Sequence, residues 1–335
     1  MSVSLKPLRE QVIVITGASS GIGLATAQAA ARGGARVVLA ARNEPALAEI
    51  VRDIARAGGT AVHVEADVSR REDVEKIAQV AVARFGGFDT WVNNAGQGLY
   101  GTLEQVSEGD QRRLFDVNFW SQVYGSLVAV KHLKSRGGAL INIGSVASEM
   151  AFPLLGMYAA TKHAVKGFTE SLRMELEAER APISVTLVKP TGIDTPFPQH
   201  AKNYMDREPR LPDPVYRPEE VAAAVLQAAT RPERDVYVGT AARVMSTVGR
   251  QVPRAMDRLG ERVLMGQEVR PEAPRNPEGA LYKPGTGGRV RGEHPGPVLP
   301  VSVYNRADRH PILGGLLLLG VAGAAVALLS GSSRR

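Results

Sequence analysis

From residue 11 onward the chain repeats one unit. A short unbroken run of β-branched and aliphatic residues is followed by an alanine-rich stretch of helical length. The apolar runs occupy 11–16 (QVIVIT), 36–41, 61–66, 89–94, 138–145, 183–190 and 235–239. Helical patterns fall at 21–34, 43–57, 70–85, 103–134, 155–180 and 218–230. Strands without a polar alternation suit a sheet covered on both faces, and such sheets are parallel. Seven such strands alternating with helices predict an α/β fold, a Rossmann-like doubly wound parallel seven-stranded sheet over residues 9–240. At 44% hydrophobic, the 335 residues can bury the core this fold needs.

Beyond residue 240 the pattern changes. Residues 1–240 carry 27 Lys and Arg against 27 Asp and Glu, so the whole net charge of +7 lies after them. A neutral body argues against nucleic-acid binding, which needs a basic face. Residues 241–270 predict a basic helical segment. Val244, Val248, Val252, Met256, Leu259 and Val263 form one stripe, and Arg250, Arg254, Arg258 and Arg262 another. Two placements are open for it: the surface of an anionic membrane, or docking on the body or on a second subunit with the arginines solvated. Residues 271–311 are rich in Pro, Gly and Arg and read as a flexible linker. Residues 312–330 contain an 18-residue stretch without charge, Ile312–Leu329. As a helix it spans roughly 27 Å, close to a bilayer core, and predicts a C-terminal transmembrane helix.

There are no cysteines, so disulfides and thiolate chemistry are excluded. The six histidines show no metal-ligand spacing, and no metal site is expected. The start, MSVSLKPLREQ, lacks the apolar core of a secretory signal. The expected localisation is therefore membrane-anchored, with the catalytic domain in the cytoplasm.

Chemistry begins at TGASSGIG, residues 16–23, where the first strand gives way to a helix. Gly17, Gly21 and Gly23 let the backbone turn tightly and approach a ligand, and the helix start offers amides to a pyrophosphate. After the second strand, an NAD site usually carries an acid that holds the ribose 2′-hydroxyl. Here that place is Ala41, followed by Arg42. An arginine can be a solvated strand end. After a glycine-rich turn it suits a 2′-phosphate, which points to NADP(H).

Tyr158 and Lys162 stand one helical turn apart, which puts phenol and ammonium on one face. Alone, such a pair is an ordinary solvated face. It is also how a cation favours a phenolate and tunes a tyrosine to pass a proton.

With TGASSGIG, ADV at Asp67, NNAG (93–96), Asn118 in DVNFW, INIGS ending at Ser145, YAATK (158–162) and KPTGIDT (189–195), the chain resembles the short-chain dehydrogenase/reductase family. The resemblance covers roughly residues 9–240, the single-domain form of about 250 residues. It implies a catalytic set of Asn118, Ser145, Tyr158 and Lys162. Tyr158 would give a proton to the substrate oxygen and Ser145 would hydrogen-bond the same oxygen. Lys162 would lower the tyrosine pKa and hold the nicotinamide ribose, while Asn118 would place a water in a proton relay. It also implies cofactor contacts from Gly17, Ser19, Ser20, Gly21, Ile22, Gly23, Arg42, Asp67, Val68, Asn94, Ala95, Gly96, Tyr158, Lys162, Pro190, Ile193 and Thr195. Asp67 would accept from the adenine amino group. Pro-Thr-Gly departs from the family's usual Pro-Gly, and Thr191 takes positive φ only at a cost.

The implied activity is an NADP(H)-dependent interconversion of a carbonyl and an alcohol. The substrate is a small molecule, lipophilic to judge from the apolar loop 146–156. Residues 196–216 are expected to cover the site, with Phe197 and Tyr204 as contacts. Further expected partners are the membrane, through the C-terminal segment, and a second copy of the chain as a homo-oligomer. The competing readings are a non-catalytic dinucleotide-binding sensor or scaffold, and an epimerase or dehydratase on the same fold.

Overall fold

The computed structural model describes residues 3–239, 254 and 265–300. The strands are β1 (Val12–Thr16), β2 (Arg36–Ala41), β3 (Thr60–Glu65), β4 (Thr90–Asn93), β5 (Leu99–Tyr100), β6 (Gly138–Ile143), β7 (Ile183–Pro190), β8 (Gly192–Ile193), β9 (Lys202–Asn203), β10 (Val215–Tyr216), β11 (Asp235–Val238) and β12 (Val298–Leu299). The helices are α1 (Gly21–Arg32), α2 (Glu44–Arg56), α3 (Arg71–Phe85), α4 (Glu108–Phe115), α5 (Ser121–Leu133), α6 (Gly156–Ala178), α7 (Phe197–His200) and α8 (Pro218–Thr230). Seven strands form one sheet in the order β11-β7-β6-β4-β1-β2-β3, and every pairing in it is parallel.

The expected doubly wound sheet is therefore present, and the reason lies in the alternation of side-chain direction along each strand. On β1, Ile13 and Ile15 face one way, into a core shared with Leu24 and Ala27 of α1 and Val221 and Val225 of α8. Val12 and Val14 face the other way, into a core with Val74 and Ile77 of α3 and Leu172 of α6. Both faces are covered, so an apolar residue is needed at every position of the strand. The chain order reverses between β1 and β4, and a crevice opens there above the carboxyl ends of the strands.

Helix ends follow local chemistry. Asn43 caps α2 by accepting from the Ala46 amide, and Ser107 caps α4 by accepting from Asp110. Gly86 ends α3 in the left-handed conformation at φ 79°. The stretch read as helical over 103–134 divides into α4, a π-helical turn Asp116–Trp120, and α5.

Residues 271–300 differ from the flexible linker expected. They lie on the catalytic body. Ala280 and Leu281 are fully buried, Leu281 in a cluster with Leu99, Val106 and Leu114. Arg275 pairs with Glu208, Tyr282 donates to Asp110, and β12 pairs with β10. The sequence signal was weak because few side chains in this segment are apolar. Backbone hydrogen bonds and ion pairs hold it instead.

Among the described residues no helix is long and apolar enough to cross a membrane. Ile312–Leu329 lies outside the described residues, as does nearly all of the basic segment 241–270.

Candidate active site

The glycine-rich turn runs from β1 into α1. Gly17 and Gly21 take φ of 66° and 54°, which only glycine adopts cheaply. Gly23 is glycine for a different reason: a Cβ there would stand 2.2 Å from the Gly17 carbonyl oxygen and 2.6 Å from Asn94 Nδ2. Asn94 donates from that nitrogen to the carbonyls of Thr16 (2.8 Å) and Gly17 (3.2 Å), tying β4 to the turn.

Two clefts meet over this crevice. The first runs along the glycine-rich turn. Its walls are Gly17, Ser19, Ser20, Gly21 and Ile22 from the turn, Ala41, Arg42 and Asn43 from the end of β2, Asp67 and Val68 after β3, and Asn94, Ala95 and Gly96 after β4. It is long, bounded by a helix start at one side and a basic group at the other, and fits a dinucleotide. The second cleft is more apolar. It contains Ser145, Tyr158 and Lys162, with Pro190 and Ile193 beside them and Val146, Phe152, Leu155, Phe197 and Leu211 around them. Ile22, Asn94, Gly96, Thr195 and Phe197 border both clefts. A ligand in the first can therefore reach into the second.

Three elements deliver the four catalytic candidates. Ser145 follows β6 and caps the short turn Val146–Ser148, its Oγ accepting from the Ala147 amide at 3.1 Å. Tyr158 and Lys162 share the face of α6 that looks into the cleft, and the Tyr158 ring packs edge-on against Phe197 at 5.3 Å. Asn118 lies in the π-helical turn, and such turns recur where a helix must re-aim a side chain. Its Oδ1 accepts from the Gln97 amide (2.7 Å) and its Nδ2 donates to the Gln97 carbonyl (2.9 Å). Gly96 sits between Asn118 and Lys162: a Cβ on it would be 3.5 Å from Asn118 Oδ1 and 3.9 Å from Lys162 Nζ.

The electrostatics depart from the expected tuning. Burial pushes the Tyr158 phenol up to about 12, partly opposed by a hydrogen bond with Ser145. Burial also pushes the Lys162 ammonium down to about 8. Lys162 Nζ donates to the Ile143 carbonyl at 2.9 Å and stands 5.7 Å from the centre of the Tyr158 ring. Desolvation is the largest cause in both groups, and the phenol starts fully protonated at neutral pH.

The other predicted contacts fall as follows. Asp67 lines the dinucleotide cleft but is engaged: Arg113 donates to Oδ2 at 2.7 Å and Ser69 to Oδ1. Burial would raise its pKa, but these hydrogen bonds outweigh it and hold the carboxyl below its usual range. Thr195 donates to the Ile193 carbonyl at 3.3 Å. Thr191 avoids positive φ; Gly239 takes 105° opposite it instead. Arg42 donates to the carbonyls of Ala280 and Leu281, at 2.5 and 3.2 Å.

Sequence reasoning missed Arg113, Asn43, His200, Pro284 and Gly285. The last four line the dinucleotide cleft. Asn43 follows Arg42 directly and a strand-end pattern could have found it; the others arrive from segments distant in sequence.

The family described as short chain dehydrogenase matches residues 11–205. The chain belongs to it. It is 46% identical over 330 residues to the uncharacterized oxidoreductase YxnA of Bacillus subtilis, covering 97% of this chain and 92% of that one. It is 36% identical over 237 residues to 11-beta-hydroxysteroid dehydrogenase A of Sesamum indicum, covering 68% and 67%. Among solved structures it resembles a short-chain dehydrogenase/reductase from Burkholderia phymatum in complex with NAD, at TM-score 0.67 and 26% identity, covering 76% of this chain and 96% of that one. It also resembles the alcohol dehydrogenase of Thermococcus sibiricus complexed with 5-hydroxy-NADP, at TM-score 0.60 and 29% identity, covering 68% and 94%. The chain is thus an oxidoreductase of the short-chain dehydrogenase family, built for a nicotinamide dinucleotide.

Proposed function

We propose that the protein is an NADP(H)-dependent oxidoreductase that interconverts a lipophilic ketone and its secondary alcohol. One observation carries this reading: a hydroxyl pair, Ser145 and Tyr158, stands in an apolar cleft that opens directly into the dinucleotide cleft. The glycine cradle supports the cofactor's presence, since side chains at Gly17 and Gly23 would collide with backbone. The bound dinucleotide supplies or accepts the hydride at the substrate carbon. In the reducing direction Tyr158 Oη gives its proton to the substrate oxygen. Ser145 Oγ donates a hydrogen bond to that oxygen as its charge grows. Lys162, close to Gly96 and Asn118, supports the ribose side of the site and the return of a proton to Tyr158. Oxidation runs the same steps backwards.

NADP(H) is preferred over NAD(H) because Ala41 holds the place of the usual acid at the end of β2 and Arg42 follows it. The apolar lining of the second cleft, together with the hydroxysteroid dehydrogenases among the relatives, suggests a flat polycyclic or long-chain substrate. Purified protein is tested with NADPH and NADH against a panel of steroid, aliphatic and aromatic ketones. Turnover with NADPH and a lipophilic ketone is the expected result. No turnover with either cofactor on any carbonyl would favour a dinucleotide sensor.

Ile312–Leu329 anchors this enzyme in a bilayer, with the body in the cytoplasm where NADPH is available. Full-length protein should resist carbonate extraction from membranes. Recovery in the soluble fraction without detergent removes the anchor.

A further inference from the structure

The segment after residue 279 touches the dinucleotide cleft from outside at every turn. The carbonyls of Ala280 and Leu281 receive the Arg42 guanidinium. The Gly285 carbonyl accepts from Asn43 Nδ2 at 2.8 Å. The Gly288 amide donates to the Ser19 carbonyl at 2.8 Å, and the Gly21 amide donates to the Arg289 carbonyl at 2.9 Å. At Gly287 the backbone lies flat on α2: a Cβ there would stand 2.2 Å from Ala46 Cβ. Tyr282 and Leu281 fasten the front of the segment, through Asp110 and the cluster around Leu99.

We propose that residues 280–289 belong to the cofactor site, clasping the adenosine-phosphate half of the dinucleotide against β2 and the start of α1, so that the cofactor exchanges only when the segment lifts. This rests on the reading of the first cleft as the dinucleotide site. The segment is a wall and not a plug, because the cleft stays open between Pro284 and Gly285 on one side and the turn on the other. Its bonds go to the rim. They take the Gly21 amide and leave those of Ile22 and Gly23, which the first turn of a helix cannot pair internally. Arg42 spends two of its five N–H groups on the segment. The remaining N–H groups are held in one orientation, ready for a ribose phosphate. The segment thereby fixes a residue that reads the cofactor and closes its exit.

The test is the rate at which a bound reduced dinucleotide leaves, followed by its fluorescence after mixing with excess oxidised cofactor. NADPH and NADH are both used. Gly287→Val wedges the segment off α2 and should speed release of whichever dinucleotide binds by at least about tenfold, the loss of one or two net hydrogen bonds. Tyr282→Phe removes one bond to Asp110 and should speed release by roughly threefold without disturbing the fold. In the unaltered protein, saturating dinucleotide should slow hydrogen exchange across 280–289. Unchanged release in a folded variant, or exchange in 280–289 that ignores the cofactor, overturns the clasp. Slower release from Gly287→Val also overturns it, because the segment would then be a competitor for the site. A wild-type preference for NADH would sink the Arg42 reading and leave the clasp standing.

Discussion

Tyr158→Phe keeps the ring against Phe197 and removes only the transferable proton. Turnover should fall by about 10²–10⁴-fold, the usual contribution of a general acid. Dinucleotide affinity, measured by fluorescence titration, should hardly move. Near-normal turnover would end the assignment. Lys162 makes a different case. Its pKa falls from 10.5 to about 8 because burial disfavours the ammonium. The folded state therefore binds fewer protons than the unfolded state between about pH 8 and 10.5, and stability rises with pH across that window. Below it the charged lysine is a cost. Lys162→Met should stabilise the protein at pH 7 by roughly 1–3 kcal/mol while abolishing turnover, with the gain shrinking above pH 10. Melting curves at pH 7 and pH 10 check this, and equal gains at both would refute it. Arg42→Ala should weaken NADPH binding by roughly 10- to 100-fold more than it weakens NADH binding, the worth of a charge-assisted bond to the 2′-phosphate beyond the bonds to the segment that both dinucleotides lose.

At the scale of elements, the β1–α1 turn is the part with least tolerance. Gly23→Ala places a methyl against the Gly17 carbonyl and Asn94 at once, and neither contact is the tip of a flexible chain. We expect about 1–3 kcal/mol of lost stability, by urea denaturation, together with at least tenfold weaker dinucleotide binding. A change in neither would mean the turn can move without cost. The π-helical turn is the second such element. A regular helix from α4 into α5 would rotate Asn118 away from Gly96, so the π turn is what holds Asn118 on Gln97 beside the site.

The whole molecule is stapled beneath the substrate cleft by ions. Glu149, after the Ser145 turn, binds Lys166 of α6 at 2.8 Å and Lys189 of β7 at 2.9 Å, and Lys189 reaches Asp235 at the start of β11. Burial would raise the Glu149 pKa, but the bonds from Lys166 and Lys189 outweigh it and hold the carboxyl at about 2. A depressed carboxylate stabilises the fold above its unfolded value and loses that contribution as pH falls from 4.5 towards about 2. Acid unfolding monitored by circular dichroism should show this loss, and Glu149→Gln should lie closer to its own neutral-pH stability through the window. Lys189→Met leaves Glu149 with one partner fewer and should cost about 3 kcal/mol at pH 7.

What could be read without coordinates was local or periodic. Strand periodicity stated the sheet, since a parallel strand covered on both faces carries apolar residues in unbroken succession, as Val12–Ile15 of β1 does. Glycines at 17, 21 and 23 and the Tyr158–Lys162 spacing marked the site because backbone geometry and one helical turn act within a few residues. The burial that dominates Tyr158 and Lys162 could not be read this way, because desolvation depends on what the fold packs against α6. Nor could the role of 271–300. Much of its hold on the body comes from carbonyls and amides, which every residue has and no composition reveals. Where those groups find Arg42, Ser19 and Gly21 is a matter of long-range closure, and only the tertiary structure decides it.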